Sequence, residues 1–82
     1  MSLSETIGLT RQKALLNQEE FADALHVSLA SVSRWEIGKS IPNISAMKAI
    51  KAFCEKNGYS YELIENEWLS ARIEAKKQNH RA

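Results

Sequence analysis

The sequence of residues 18–38 is QEEFADALHVSLASVSRWEIG, in which two short amphipathic segments flank a three-residue turn. At helical spacing, Phe21, Ala22 and Leu25 share one face of the first segment. Val32 lies on the corresponding face of the second segment. We expect the two helices to cross closely, because the small side chain of Ala22 lets their backbones approach each other.

The second segment presents a different set of side chains on its opposite, outward face. These are Leu29, Ala30, Ser33 and Arg34. A stiff helix that stands out from its support, with short side chains and one Arg outward, has a shape that suits the major groove of DNA. Arg34 can donate two parallel hydrogen bonds to guanine, and Leu29 and Ala30 can contact thymine methyl groups. We predict that these four residues contact bases, with Ser33 serving either a base edge or a phosphate.

The chain between residues 7 and 64 resembles the helix-turn-helix domain of phage repressors and Cro-like regulators, called XRE-type or lambda-repressor-like. The family pattern has a Gln, an Ala four residues later, a Val or Ile in the second helix, and an aromatic–Glu–x–Gly sequence followed by Pro. The matching residues here are Gln18, Ala22, Val32, Trp35, Glu36, Ile37, Gly38 and Pro42. Two positions depart from the pattern, since His26 and Leu15 stand where the family often has Gly.

Helical spacing and capping residues predict five helices and no strand along the chain. The predicted N-caps are Ser4, Asn17, Ser28 and Asn43, and the predicted stops are Gly38 and Gly58. Helix 1 is expected to end near Leu16. The apolar stripe of helix 4 is predicted to run from Ile44 to Cys54. Helix 5 is predicted to run from Tyr61 to about Lys77.

These elements predict an all-α fold, a compact five-helix lambda-repressor-like domain in which helices 2 and 3 form a helix-turn-helix. We expect one domain over residues 1–82, with a core of about residues 5–65. Residues 66–82 then extend helix 5 as a long C-terminal helix.

The resemblance implies further roles for several polar side chains. It implies that Gln18 contacts a backbone phosphate and that Arg11 and Glu36 form a buried ion pair. An inward Glu needs such a partner, and Arg can supply two parallel hydrogen bonds. The positions predicted to contact phosphates are Gln18, Ser28, Ser31, Lys39 and Asn43. Backbone N–H groups at the helix N-termini are expected to support these contacts.

Charge is distributed unevenly along the chain, although its net value is only +1. Between residues 28 and 51, four basic side chains stand against a single acidic one, Glu36. This local excess would orient the domain on a polyanion such as DNA. A set of solvated surface charges is the alternative interpretation for any single Lys.

Cysteine and histidine usage indicates no metal site and no cofactor. Cys54 is the only cysteine, and its place on the apolar side of helix 4 predicts a buried structural thiol. His26 has no partner ligand at a recognised spacing, so we interpret it as a turn residue. No apolar run approaches the roughly 20 residues of a membrane span, and the N-terminus does not resemble a signal peptide. The expected location is the cytoplasm.

Two function classes follow from this pattern. The first is a sequence-specific regulator of transcription that binds double-stranded DNA, and we expect a repressor. The second is an antitoxin-like or other protein-binding module with the same fold. In that case the tail from Trp68 to Ala82, with Lys76, Lys77, His80 and Arg81, would contact the partner. An enzyme is not expected, because no paired carboxylates, nucleophile triad or glycine-rich phosphate loop is present in the sequence.

Helix 5 is the predicted site of self-association. One helix-turn-helix reads only a few base pairs, so a homodimer with half-sites about 34 Å apart is the usual arrangement. The candidate interface residues are Ile64, Trp68, Leu69 and Arg72. A second Trp beyond the usual domain boundary needs cover, either from another copy or from the core of its own domain.

Overall fold

Five helices form the regular structure of residues 1–79, the part of the chain that the computed structural model describes, with side chains as far as Ala75. They are α1 (Leu3–Lys13), α2 (Gln18–Leu25), α3 (Leu29–Glu36), α4 (Ile44–Asn57) and α5 (Glu62–Asn79). No strand occurs in this part, which confirms the all-α five-helix prediction. None of these helices is both long and apolar enough to cross a membrane.

Three helices begin at the predicted caps. The side-chain oxygens of Asn17, Ser28 and Asn43 accept hydrogen bonds from the backbone N–H three residues later in α2, α3 and α4. Glu20 also reaches back to the backbone N–H of Asn17 at 2.9 Å, which completes a capping box. The starts of the two helices of the helix-turn-helix are therefore set by local sequence.

Helix α1 begins earlier than predicted, at Leu3 with Ser2 as its cap. Ser2 Oγ accepts a 3.2 Å hydrogen bond from the backbone N–H of Glu5, and the Glu5 carboxylate accepts one of 2.9 Å from the backbone N–H of Ser2. The prediction of Ser4 as cap was wrong, because Glu5 is three residues after Ser2 and closes a capping box there. Leu3, the first residue of α1, is buried and packs in the core.

Two non-glycine residues adopt the left-handed conformation. Leu15 has φ 60° and ends α1 at Lys13 instead of near Leu16, and His26 has φ 58° in the turn after α2. His26 therefore lies in the turn, as predicted, and adopts the left-handed conformation there. Such a conformation costs a non-glycine residue on the order of 1 kcal/mol. The Leu15 side chain is 90% exposed and makes no compensating contact with the core.

The core lies between α2, α3 and α4 and is closed by α1 and α5. Its buried apolar residues are Leu3, Ile7, Phe21, Ala22, Leu25, Val32, Trp35, Ala46, Met47, Ile50, Cys54, Ile64 and Trp68. Phe53 packs edge-on against Phe21, with ring centroids 5.3 Å apart. The prediction that Ile44 belongs to the apolar stripe of α4 was wrong, since Ile44 is 56% exposed. Ile44 is the first residue of α4, and the buried residues of this helix begin at Ala46.

Candidate nucleic-acid interface

The angle between α2 and α3 is filled by buried side chains from both helices. Phe21, Ala22 and Leu25 contribute from α2, and Val32 and Trp35 contribute from α3. Helix α1 also contacts α3, so α3 is supported by two neighbouring helices. This packing fixes one side of α3 and leaves the other side open.

The open side of α3 carries the residues predicted to contact bases. Leu29 is 48% exposed, and Ala30 and Arg34 are exposed as well. Ser33 is half-buried, which places it at the margin of this surface. Among residues 1–75, whose side chains the structure describes, the only salt bridge belongs to Arg11, so the Arg34 guanidinium keeps all its donors for an outside acceptor.

Arg11 and Glu36 form an ion pair that joins α1 to the end of α3. Arg11 Nε lies 2.7 Å from Glu36 Oε2, and Arg11 Nη2 lies 3.0 Å from Glu36 Oε1. Arg11 Nη1 donates a third hydrogen bond, of 2.9 Å, to the carbonyl oxygen of Leu16. The hydrogen bonds to Glu36 raise the pKa of Arg11. The side chains are 16% and 11% exposed, so the pair is held largely away from water.

Gln18, the first residue of α2, joins this ion pair. Its Nε2 donates a 3.1 Å hydrogen bond to Glu36 Oε1. A phosphate contact was predicted for this side chain, which has one of its two amide hydrogens engaged within the protein. The second amide hydrogen remains for an outside acceptor. The phosphate contact of Gln18 therefore stays a prediction, with the side chain held in place by Glu36.

The other predicted phosphate contacts lie around the ends of α3 and the start of α4. Ser28 Oγ and Ser31 Oγ are 2.9 Å apart, and both belong to the first turn of α3. Lys39 is exposed in the loop after α3. Asn43 Oδ1 accepts a 2.8 Å hydrogen bond from the backbone N–H of Ala46, which leaves its amide group as a donor. Ser31 and Asn43 line the same surface groove between α3 and the start of α4.

Two of the four predicted dimer residues lie inside the domain. Ile64 is 1% exposed and Trp68 is 9% exposed, and both pack in the core. Both residues lie on α5, which packs against α1 and turns these side chains toward the core, so their assignment to an interface is corrected. Leu69 is 47% exposed and Arg72 lies 4.8 Å from the Trp68 ring, so these two remain on the outer surface. The predicted tail surface, with Lys76, Lys77, His80 and Arg81, lies outside the described side chains.

Ile37, the residue that follows α3, matched only the unspecified position of the family pattern. Its side chain is 65% exposed, one turn beyond Ser33 and directly before Gly38. The resemblance treats this position as any residue, so nothing marked it.

Within the described residues, no three or more His, Cys, Asp or Glu side chains group in a way that could hold a metal ion. His26 is exposed in the turn, and Cys54 is buried in α4. Burial raises the pKa of the Cys54 thiol. The two side chains thus occupy different environments, one in solvent and one in the core.

Comparisons with known proteins agree with this geometry. A family model described as helix-turn-helix matches residues 7–57. The chain is similar to the HTH-type transcriptional activator BcrR of Enterococcus faecalis, with 38% identity over 53 residues. That match covers 65% of this chain but only 26% of the relative, so the similarity spans about a quarter of the relative's length. No solved structure matches the chain.

Proposed function

The chain belongs to the helix-turn-helix family, and on that premise we propose that it is a sequence-specific regulator of transcription that reads the major groove of double-stranded DNA with α3. The open side of α3 is the observation that carries this proposal. Two helices hold α3 from behind, while Leu29, Ala30 and Arg34 face outward. The similarity to a transcriptional activator supports regulation of transcription over catalysis.

The proposed contacts divide into base readout and positioning. Arg34 donates to the O6 and N7 acceptors of a guanine, and Leu29 and Ala30 contact thymine methyl groups. Ser33, at the margin of this surface, contacts either a base edge or a phosphate. Phosphates are contacted by Gln18, Ser28, Ser31, Lys39 and Asn43. These phosphate contacts fix the orientation of α3 but carry no sequence information directly.

A selection of random duplexes against the purified 82-residue chain tests the proposal. The expected result is a short enriched sequence that contains a guanine, and this guanine loses its enrichment when Arg34→Ala is used instead. A variant of the same charge change away from α3, Lys56→Ala, is expected to select the same sequence as the unmodified chain. A selection that enriches nothing would count against sequence-specific binding.

We further propose repression as the direction of regulation. Repression requires only that the bound domain occupy DNA that the polymerase needs, whereas activation also requires a productive contact with the polymerase. The relative is named an activator, so the opposite outcome has to be tested directly. A reporter gene with the selected sequence across its promoter is expected to lose expression when the chain is present, and a rise in expression would assign activation.

A protein partner at α5 is the second candidate function, and exposed apolar side chains favour it. Leu69 is 47% exposed and Ile73 is 57% exposed, one helical turn apart. We propose a homodimer with Leu69 and Arg72 at its interface, because a two-fold dimer doubles the number of base pairs read. Sedimentation of the chain is expected to give twice the mass of the monomer, and Leu69→Lys to give the monomer. An antitoxin-like module would instead co-purify with a different protein from its own cells.

A further inference from the structure

The exposed face of α3 carries few side chains that can form hydrogen bonds. At its start, Leu29 and Ala30 are exposed and can make only apolar contacts through their side chains. Arg34, one helical turn after Ala30, is the exposed hydrogen-bonding side chain of the helix, because Ser33 is half-buried. The base-reading surface therefore offers one guanidinium group, that of Arg34, beside a small apolar patch formed by Leu29 and Ala30.

The apolar patch limits which bases α3 can distinguish. In the major groove, thymine differs from the other bases by the methyl group on its C5 atom. Cytosine that is methylated on C5 carries the same methyl group in the same place. The two pyrimidines differ otherwise in a carbonyl oxygen against an amino group, and neither Leu29 nor Ala30 has a donor or acceptor that could tell these apart.

The spacing on α3 places the methyl group close to the guanine. Ala30 and Arg34 are one turn apart on α3. Side chains with this spacing on a helix have Cβ atoms about 5–6 Å apart. Successive bases along one strand are separated by about 3.4 Å along the DNA axis. A methyl group under Ala30 and a guanine under Arg34 therefore lie within about two base pairs of each other.

We propose that α3 recognises a C5-methylated pyrimidine within about two base pairs of a guanine, accepting thymine and 5-methylcytosine alike and discriminating against cytosine and uracil. The inference rests on the proposed DNA-binding function and specifies its ligand. It makes the affinity of the chain for its site sensitive to cytosine methylation. A site with a cytosine near the guanine is expected to bind more tightly when that cytosine is methylated.

The test uses the duplex obtained by selection and changes one pyrimidine near the guanine at a time. Each position is synthesised as thymine, uracil, 5-methylcytosine or cytosine, with the matching purine opposite. Uracil is expected to bind about fourfold more weakly than thymine, the loss that corresponds to one buried methyl group. Cytosine is expected to bind more weakly than 5-methylcytosine by the same factor.

A matched pair of variants assigns the effect to α3. Leu29 and Leu63 are both 48% exposed, the first on α3 and the second on α5. In Leu29→Ala the difference between thymine and uracil is expected to disappear at one position, and in Leu63→Ala it is expected to remain. Both substitutions place a good helix-forming residue on a helix surface, so both variants are expected to fold.

The outcomes separate this inference from the proposed function. Equal binding of all four pyrimidines at every position, with the selected duplex still preferred over a scrambled one, would overturn methyl recognition alone. Retention of the full thymine–uracil difference at every position in both Leu29→Ala and Ala30→Gly would also overturn it. Equal binding of selected and scrambled duplexes would instead overturn sequence-specific binding itself.

Discussion

Trp68 in α5 donates a buried hydrogen bond of 2.7 Å from Nε1 to the carbonyl oxygen of Pro42. Pro42 is buried at the end of the loop between α3 and α4, the loop that carries Lys39. Arg72 lies over the same indole ring at 4.8 Å. The bond ties α5 to the loop beside the proposed DNA surface, so the first half of α5 belongs to the scaffold of the domain.

Trp68→Phe tests the contribution of this hydrogen bond to stability. Phe keeps most of the apolar surface but removes the N–H donor, which leaves the Pro42 carbonyl oxygen without its partner. A buried acceptor without its partner costs about 1–3 kcal/mol, and we expect the free energy of unfolding in urea to fall by that amount. Leu63→Ala, at a 48% exposed position of the same helix, is the control and is expected to stay within about 0.5 kcal/mol. Equal stability of Trp68→Phe and the unmodified chain would show that the bond contributes nothing.

Arg11→Ala is expected to destabilise the domain strongly. Removal of one partner leaves the Glu36 carboxylate in a largely buried place without its cation, which costs about 3–5 kcal/mol. Gln18 supplies one remaining hydrogen bond to this carboxylate but no charge. Thermal unfolding followed by circular dichroism measures the effect, with exposed Lys48→Ala as control. A melting temperature of Arg11→Ala equal to that of the control would contradict a structural role for the pair.

Leu15→Gly is expected to raise stability by up to about 1 kcal/mol. The residue has φ 60°, which glycine adopts without steric cost, and the exposed Leu side chain contributes little burial. Leu15→Val, which is branched at Cβ, is expected to lower stability at the same position. Chemical denaturation of the two variants side by side measures both changes. The reverse order of stability would show that Leu15 makes a contact that outweighs its backbone cost.

Arg34 and Lys39 are expected to affect DNA binding in different ways. Arg34→Ala should relax the preference at one base pair by about 1–3 kcal/mol. Lys39→Ala should weaken binding to all sequences alike and reduce the slope of log affinity against log salt by about one unit. Titrations of selected and point-substituted duplexes at several salt concentrations distinguish the two effects. Identical behaviour of the two variants would remove the division between base and phosphate contacts.

Cys54 is expected to be unreactive in the folded protein. Burial raises the pKa of its thiol above the ordinary value of 9.0. Below pH 9 the thiol is protonated in both the folded and unfolded states, so its contribution to stability is constant there. As the pH rises above 9 the unfolded state ionises first, and this contribution to folding stability is lost. At pH 8 a thiol reagent should modify Cys54 of the native chain only as fast as the chain unfolds. The same reagent should modify the denatured chain immediately. Rapid modification of the native chain would place Cys54 at the surface.

Local sequence was sufficient to predict the helix-turn-helix, because the deciding residues act on their own neighbours. Asn17 and Ser28 cap helices through backbone groups three residues away, and Gly38 adopts the left-handed conformation (φ 80°) just after α3. The error at the start of α1 is of the same local kind. Two serines were available, and the capping box with Glu5 selected Ser2.

Long-range packing was not available from local sequence. The amphipathic pattern of α5 indicated that Trp68 needs cover, but did not say whether the cover comes from the same chain. The structure supplies it from the domain itself, through Pro42 and the surrounding core. Likewise, the engagement of Gln18 with Glu36 joins residues 18 positions apart and has no local signature.

Competition between a selected duplex and a scrambled duplex of the same composition tests sequence-specific recognition by α3 most directly. Binding of a fluorescently labelled selected duplex is followed by anisotropy at physiological salt, while either unlabelled duplex is added. We expect the scrambled duplex to compete at least about a thousandfold less well, as is typical of specific DNA-binding proteins. Equal competition by the two duplexes would contradict the proposal that the exposed face of α3 reads a DNA sequence.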